Sequence, residues 1–448
     1  MRRTGLVILA VLLAAGSMSA GRAPSPSEQA ARLDADLTPV GAERAGNADG
    51  SIPAWTGGLP KAPPIDPKVG YLDPFADDKP LFTITAKNAA EYKDLLSAGH
   101  QLLLKRDART FRMNVYATRR TASYPDDVLA EVKQHFGIAK TDGFSVRDVG
   151  RSTVPFPIPE NGLQVMWNHV FRWRGGSVER QYIFAPVLGN GAFDVAKMHQ
   201  SVAFDQHGYI EDARAGRLYA VNTFFLSPPS AIGIRTLTWE PIDPVTETRA
   251  RWQFNPQTMD TRRLPSYDYD TVEPYTKGMR TADENDGWNG APDHFDWKLI
   301  GKRELLIGYN AYKLANRALP YAAIIQPHNL DPNLLRYERH RVWVVEATQR
   351  KPHLYHRRIF YIDEDTWQVA QEEVYTREGK LWRFGDHHMM QFYDVQVPWY
   401  AATIHHTLGA GAYLVTYLSN QEPYPTRWGF KGRTVDYLPT SLRTQGLQ

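Results

Sequence analysis

The chain has 448 residues, 42% hydrophobic and 23% charged, with a formal net charge of +3. That balance is ordinary for a globular protein, and the absence of any long Lys/Arg run leaves no footprint for a nucleic-acid partner. Zero cysteine excludes disulfides, zinc–thiolate sites and a cysteine nucleophile in one step.

The chain starts with "MRR", a short basic stretch, followed by the apolar run "GLVILAVLLAAG" and the small residues "SMSA". This is the pattern of a cleaved signal peptide over residues 1–20. No cysteine stands at the cleavage point to carry a lipid, and no later stretch reaches the roughly 18 apolar residues of a membrane span. The expected mature protein is periplasmic, unlipidated and without a transmembrane helix, in a Gram-negative envelope.

Residues 21–80 are rich in Pro, Gly, Ala and Asp and predict an extended arm rather than regular structure. "SIPAWTGGLP" (Ser51 to Pro60) admits neither a helix interior nor a central strand. Yet this region carries Trp55, Leu59, Tyr71, Leu72 and Phe75, too many large apolar groups for a solvated tether. The arm is therefore expected to pack on the body, with Trp55 as its anchor and Gly57-Gly58 supplying a turn.

Residues 81–448 predict a single β-rich domain with two early helices. The first runs from Thr85 to Arg106, with Ala89, Tyr92, Leu95, Leu96, Gly99, Leu102 and Leu103 on one side. The second, Ser123 to Gly137, has Pro125 and two aspartates in its first turn and closes at Gly137. "HVFRWRGGSVERQYIFAPV" (His169 to Val187) predicts a hairpin about Gly175-Gly176. "RYERHRVWVVEATQR" predicts another strand. "HRRIFYIDEDTWQVAQEEVYTREGKLWRF" (His356 to Phe384) predicts three strands, turning at Asp363 to Asp365 and at Glu378-Gly379. Arg, Gln and Glu alternate there with Ile, Val and Tyr, so one sheet face is expected to be wet.

The stretches "LTPVGAERAGNADGSIPAWTGGL", "TRRTASYP", "RTADENDGWNGAPDHFDWKLIGKREL", "RYERHRVWVVEA" and "RRIFYIDEDTWQVAQEEVY" resemble the bacterial domain-of-unknown-function 1329 family (DUF1329), in order across nearly the whole mature chain. The meander from Phe360 to Phe384 also resembles the broader superfamily of outer-membrane lipoprotein-sorting carriers (LolA/LolB-like). The resemblance implies an α+β, mainly β fold: a large antiparallel half-barrel whose open side is plugged by helices over an apolar cavity. It also implies a carrier of hydrophobic cargo, working with an inner-membrane transporter of the resistance-nodulation-division type and an outer-membrane protein. It transfers no catalytic residues.

The residues themselves offer few chemical constellations. Asp283, Asn285 and Gly287 have a faint calcium-loop look, but the spacing is wrong and the late glutamate is missing, so a structural turn is expected. The pairs His387-His388 and His405-His406 are weak metal candidates, since neighbours on a strand point to opposite faces and each pair offers at most one inward ligand. No metal or cofactor is expected. Arg262, Arg263, Trp288 and Trp297 are the candidate ligand-binding residues, the arginines for a lipid headgroup. With no nucleophile elbow, phosphate loop or dinucleotide fingerprint, the expected function is a non-enzymatic periplasmic carrier of a lipid or other hydrophobic molecule. Two alternatives stand beside it: an envelope hydrolase or lyase using Asp/Glu and His, and a structural adaptor of a transporter complex.

Overall fold

The computed structural model describes residues 25–33, 35–59, 62–205, 210–211, 216–265 and 269–444; the signal-like residues 1–20 lie outside them. Sixteen strands form one large sheet. In chain order they are β1 (Phe82–Ile84), β2 (Met113–Val115), β3 (Ser177–Val187), β4 (Ala196–Phe204), β5 (Arg217–Phe225), β6 (Arg235–Pro241), β7 (Ala250–Asn255) and β8 (Asp260–Arg263). Then come β9 (Phe295–Gly308), β10 (Tyr337–Gln349), β11 (Arg357–Asp363), β12 (Val369–Tyr375), β13 (Leu381–Phe392), β14 (Val397–Thr407), β15 (Ala412–Thr416) and β16 (Arg427–Trp428).

Two antiparallel meanders, β3 to β8 and β9 to β15, join where β15 pairs with β3. The first leads outward to β8 at one edge; the second leads through β10 to β2 and β1 at the other. The second meander curls until the end of β9 touches β13, at Gly308 and His388. The fold is thus mainly β and dominated by antiparallel pairing. Among the described residues no helix is long and apolar enough to cross a membrane.

Among the described residues the α-helices of seven or more residues are α1 (Pro26–Arg32), α2 (Ala98–Arg106), α3 (Asp126–Gln134) and α4 (Gly162–Phe171), with a single further turn at Tyr321–Ile324. Residues 85–106, read from sequence as one helix, break in two: a 3₁₀ stretch over Ala89–Leu95, then α2. The break is local chemistry. Leu96 is extended, and the Ser97 side chain accepts from the His100 N–H, restarting the helix with a proper N-cap.

The hairpin expected at His169 to Val187 is replaced by a helix, a turn and a strand. α4 takes the first run and β3 the second, and β3 pairs instead with β4. All ten residues of α4 are buried. A helix buried all round, with Gln164, Asn168 and His169 inside as well, shows no polar face to read, and its Val and aromatic residues mimic a strand.

The expected wet face of the meander is also overturned. The whole of Val369–Val374 and of Arg383–Gln391 is buried. One face of β11–β13 packs under residues 281–284 and the other under α2, so its alternating charges lie inside the protein.

The arm lies against the body, with Leu37, Val40, Ala42 and Ile52 all buried. Trp55 is only half-buried; its indole N–H donates to the Ala122 carbonyl at 3.1 Å, and Arg44 stacks on its ring at 5.4 Å. Gly58 is required here: its φ is +87°, and a Cβ would stand 2.4 Å from the Ala122 oxygen. The deep apolar anchor of this stretch is Ile52, 2% exposed. Ile52→Ala is therefore expected to cost about 2–4 kcal/mol in urea unfolding, and Trp55→Ala less, about 1–2 kcal/mol. The reverse order of the two losses would contradict this placement.

Candidate functional site

The loop "RTADENDGWNG" (Arg280 to Gly290) runs through the interior rather than over the surface, and its acids are met by cations from distant parts of the chain. Arg358 on β11 contacts Asp283 and Glu372, the latter at 2.5 Å. Tyr355 donates to Glu284 at 2.7 Å and accepts from Arg383 at 2.6 Å. Asp286 receives Arg172 at 2.7 Å, Arg174 at 2.8 Å and the Trp399 indole N–H at 2.6 Å. Burial alone would raise the Asp286 carboxyl, but the two arginines hold it down to about 2. Burial and the Arg172 charge keep His169 well below its ordinary value and so neutral: one ring nitrogen donates to a carbonyl, of Trp367 or of Asp286, and the other accepts a backbone N–H, of Trp288 or of Val369. Gly287 turns the loop with φ +86°, where a Cβ would meet the Tyr400 hydroxyl at 2.6 Å. This segment is a charged plug, each acid matched to a cation.

The histidine pairs divide between the two sheet faces, as strand geometry requires. His405 faces Glu284 at 3.6 Å and lies 5.2 Å from the His387 ring. His388 faces the opposite side, 3.6 Å from Asp386, which also contacts His100 at 3.1 Å; His406 stacks on Phe384. None of the four belongs to a described cluster with metal-binding spacing. That spacing occurs at His340, Asp363 and Asp365. There Arg120 forks both oxygens of Asp365, and Thr366 donates twice to one oxygen of Asp363. Too few free ligand atoms remain for a closed metal shell. Burial pushes the Asp363 carboxyl up to about 7.

Two of the cavities among the described residues open on the faces of the two meanders. The smaller, about 200 Å³, lies in the hollow of the first meander. Its charges are matched internally: Arg249 pairs with Glu240 at 2.6 Å and Arg280 with Glu273. The larger, about 580 Å³, lies where β3, β13 and β14 meet the arm and the segment after β15. Aromatic rings wall it: Tyr71, Tyr182, Phe392, Tyr417, Tyr424 and Trp428. Phe392 packs edge-on against both Tyr71 and Trp428, at 5.1 and 4.9 Å. Arg317 holds the cover in place by donating to the carbonyls of Glu422 and Pro423. Tyr424, 66% exposed, stands at the rim. The volume falls within the range of small-molecule pockets, about 300–1,000 Å³.

The residues singled out from sequence lie elsewhere. Arg262 and Arg263 are exposed on β8, the edge strand, where Arg263 stacks on Trp252. Trp288 is a core residue, 2% exposed, in edge contact with Trp297 at 5.1 Å. None of these four lines either cavity, and the arginines are not brought together with the tryptophans. The cavity residues that sequence reading missed include Arg180 and Tyr182. Their signal was the alternation in "VERQYIF", which puts a cation and an aromatic ring on one strand face.

The family described as Protein of unknown function (DUF1329) matches residues 83–443. An uncharacterized protein of Pseudomonas aeruginosa is 39% identical over 451 residues, covering 99% of this chain and 98% of its own. Among solved structures, a DUF1329 family protein from Desulfovibrio piger overlays with a TM-score of 0.42 and 13% identity, covering 62% of this chain and 95% of its own. A Vibrio parahaemolyticus domain assigned to outer-membrane lipoprotein sorting gives a TM-score of 0.44 and 11% identity, covering 63% of this chain and 98% of its own. A LolA superfamily protein from Nitrosomonas europaea gives 0.34 and 12%, covering 58% and 91%.

Proposed function

This chain belongs to the DUF1329 family, and we propose that it is a periplasmic binding protein that carries a lipid or similar hydrophobic molecule in the 580 Å³ cavity. The observation that carries this reading is the wall of that cavity. It is built of aromatic rings from β3, β13 and the segment after β15, and is closed by the arm and by residues 419–428. An apolar hollow with a few polar groups fits a bound molecule better than a reaction. The buried acids that would serve an enzyme are instead matched to cations: Asp283 to Arg358, Asp286 to Arg172, Asp365 to Arg120 and, in the wall of the smaller cavity, Glu240 to Arg249. In this reading the first twenty residues direct export, and the cargo passes between an inner-membrane transporter and an outer-membrane protein.

A carrier gains stability by mass action from its cargo, about 2.7 kcal/mol when free ligand is 100-fold above its Kd. The purified mature chain is expected to show a rise in Tm with at least one class of long-chain amphiphile, unchanged by a chelator. No shift with any amphiphile, together with a strong shift from a divalent metal, would favour the hydrolase reading instead.

A further inference from the structure

Eleven arginines are buried among the described residues. Ten of them have a carboxylate within 4 Å; Arg180 alone does not. Its Nε and Nη2 share the side-chain oxygen of Gln200, its register partner on β4, at 3.1 and 2.9 Å. Its guanidinium lies against the rings of Tyr417, Trp399 and Tyr182 at 4.3, 4.5 and 4.9 Å. Its Nη1 meets no acceptor among the described residues. Every other buried guanidinium has a carboxylate beside it, Arg172 and Arg174 sharing Asp286, because an unmatched charge in a low-dielectric interior is expensive. Arg180 is left to rings, one neutral amide and the cavity that it lines.

The polarity of the cavity points the same way. Its two acids are engaged on the arm side: Asp394 accepts from the Tyr71 hydroxyl at 2.7 Å, and Asp66 accepts from the backbone N–H groups of Lys68 and Val69. Arg317, the other cation, is tied to backbone carbonyls of the cover. The opposite wall, toward the smaller cavity that Tyr182 also lines, is cationic and ringed by aromatics.

Resting on the binding function proposed above, we infer that Arg180 receives the anionic head of the bound molecule. The ligand is then an amphiphile with a carboxylate or phosphate at one end, its chain running along Phe392 and Trp428 toward Tyr424 at the rim. A planar guanidinium held flat by rings presents its remaining N–H groups in the fork that suits either anion.

The test is calorimetric titration of the purified mature chain with laurate, dodecyl phosphate and dodecanol, three ligands with one chain and different heads. Wild type is expected to bind at least one of the two anions about tenfold or more tighter than the alcohol, equivalent to about 1.4 kcal/mol. Whichever anion binds tighter identifies the head, and either supports the inference. Arg180→Met is expected to erase the preference while dodecanol still binds, and Arg180→Lys to keep part of it. Should Arg180→Met fail to fold, the preference of wild type and its reduction in Arg180→Lys decide the matter. Equal affinity for all three ligands overturns the role of Arg180 and leaves the binding function standing. No binding of any of the three overturns both.

Discussion

Replacing Asp286 by asparagine is expected to cost about 3–5 kcal/mol of folding stability near neutral pH, the range for breaking one partner out of a buried ion pair. Asp286 is 6% exposed, and its two oxygens are divided between Arg172, Arg174 and the Trp399 indole. Asparagine keeps the shape but leaves two buried guanidinium groups facing each other with no anion. The same substitution reshapes the acid limb of stability. A carboxyl held near 2 in the folded protein, against about 3.9 unfolded, contributes stability that is present above pH ~4. That contribution is lost as pH falls through the folded value near 2. The asparagine variant lacks it, so its stability is expected to fall less between pH 4 and 2 than that of wild type. Urea midpoints across that range check both claims; a variant with the midpoint of wild type at pH 7 would show that the plug does not hold the fold together.

Arg358→Met is expected to be comparably damaging, at about 3–5 kcal/mol. Arg358 is fully buried and reaches Asp283 from one nitrogen and Glu372 from another. Burial, opposed by Arg358 itself, raises the Glu372 carboxyl above its ordinary value. The carboxylate that Arg358 balances is that of Asp283, held below its ordinary value by the Arg358 charge and also 3.3 Å from the His353 ring. Methionine fills the volume and strands that carboxylate. Adding Asp283→Asn to Arg358→Met is then expected to recover part of the loss, because the stranded charge is removed. Strict additivity of the two substitutions in a double-mutant cycle would contradict the pairing.

The meander β11–β13 was legible because its turns are written in local chemistry: Asp363 to Asp365 at one bend, Glu378-Gly379 at the other. α3 was legible for a similar reason, with Asp126 and Asp127 in its first turn and a stripe of Val128 and Val132 facing inward. α4 was hidden because total burial erases the 3.6-residue period that marks a helix. The buried polar face of the meander was hidden for another reason. Alternation says that two faces differ, not what covers them, and the cover here is a loop from a distant part of the chain, Thr281 to Glu284. Arg180 belongs to the same class. Its aromatic neighbours Trp399 and Tyr417 come from the far end of the sequence, so only the pairing of β3 with β15 reveals the site.

The most direct measurement is mass spectrometry of small molecules carried by the protein when it is purified from its native envelope, wild type beside Ser419→Trp. Ser419 lines the 580 Å³ cavity and is half-buried, so an indole there fills the hollow from its wall. Wild type is expected to carry one class of amphiphile at about one molecule per chain, and Ser419→Trp to be depleted of it while still folded. Wild type purified without any such molecule, or equal loading of the two proteins, would contradict the assignment of this cavity as the binding site.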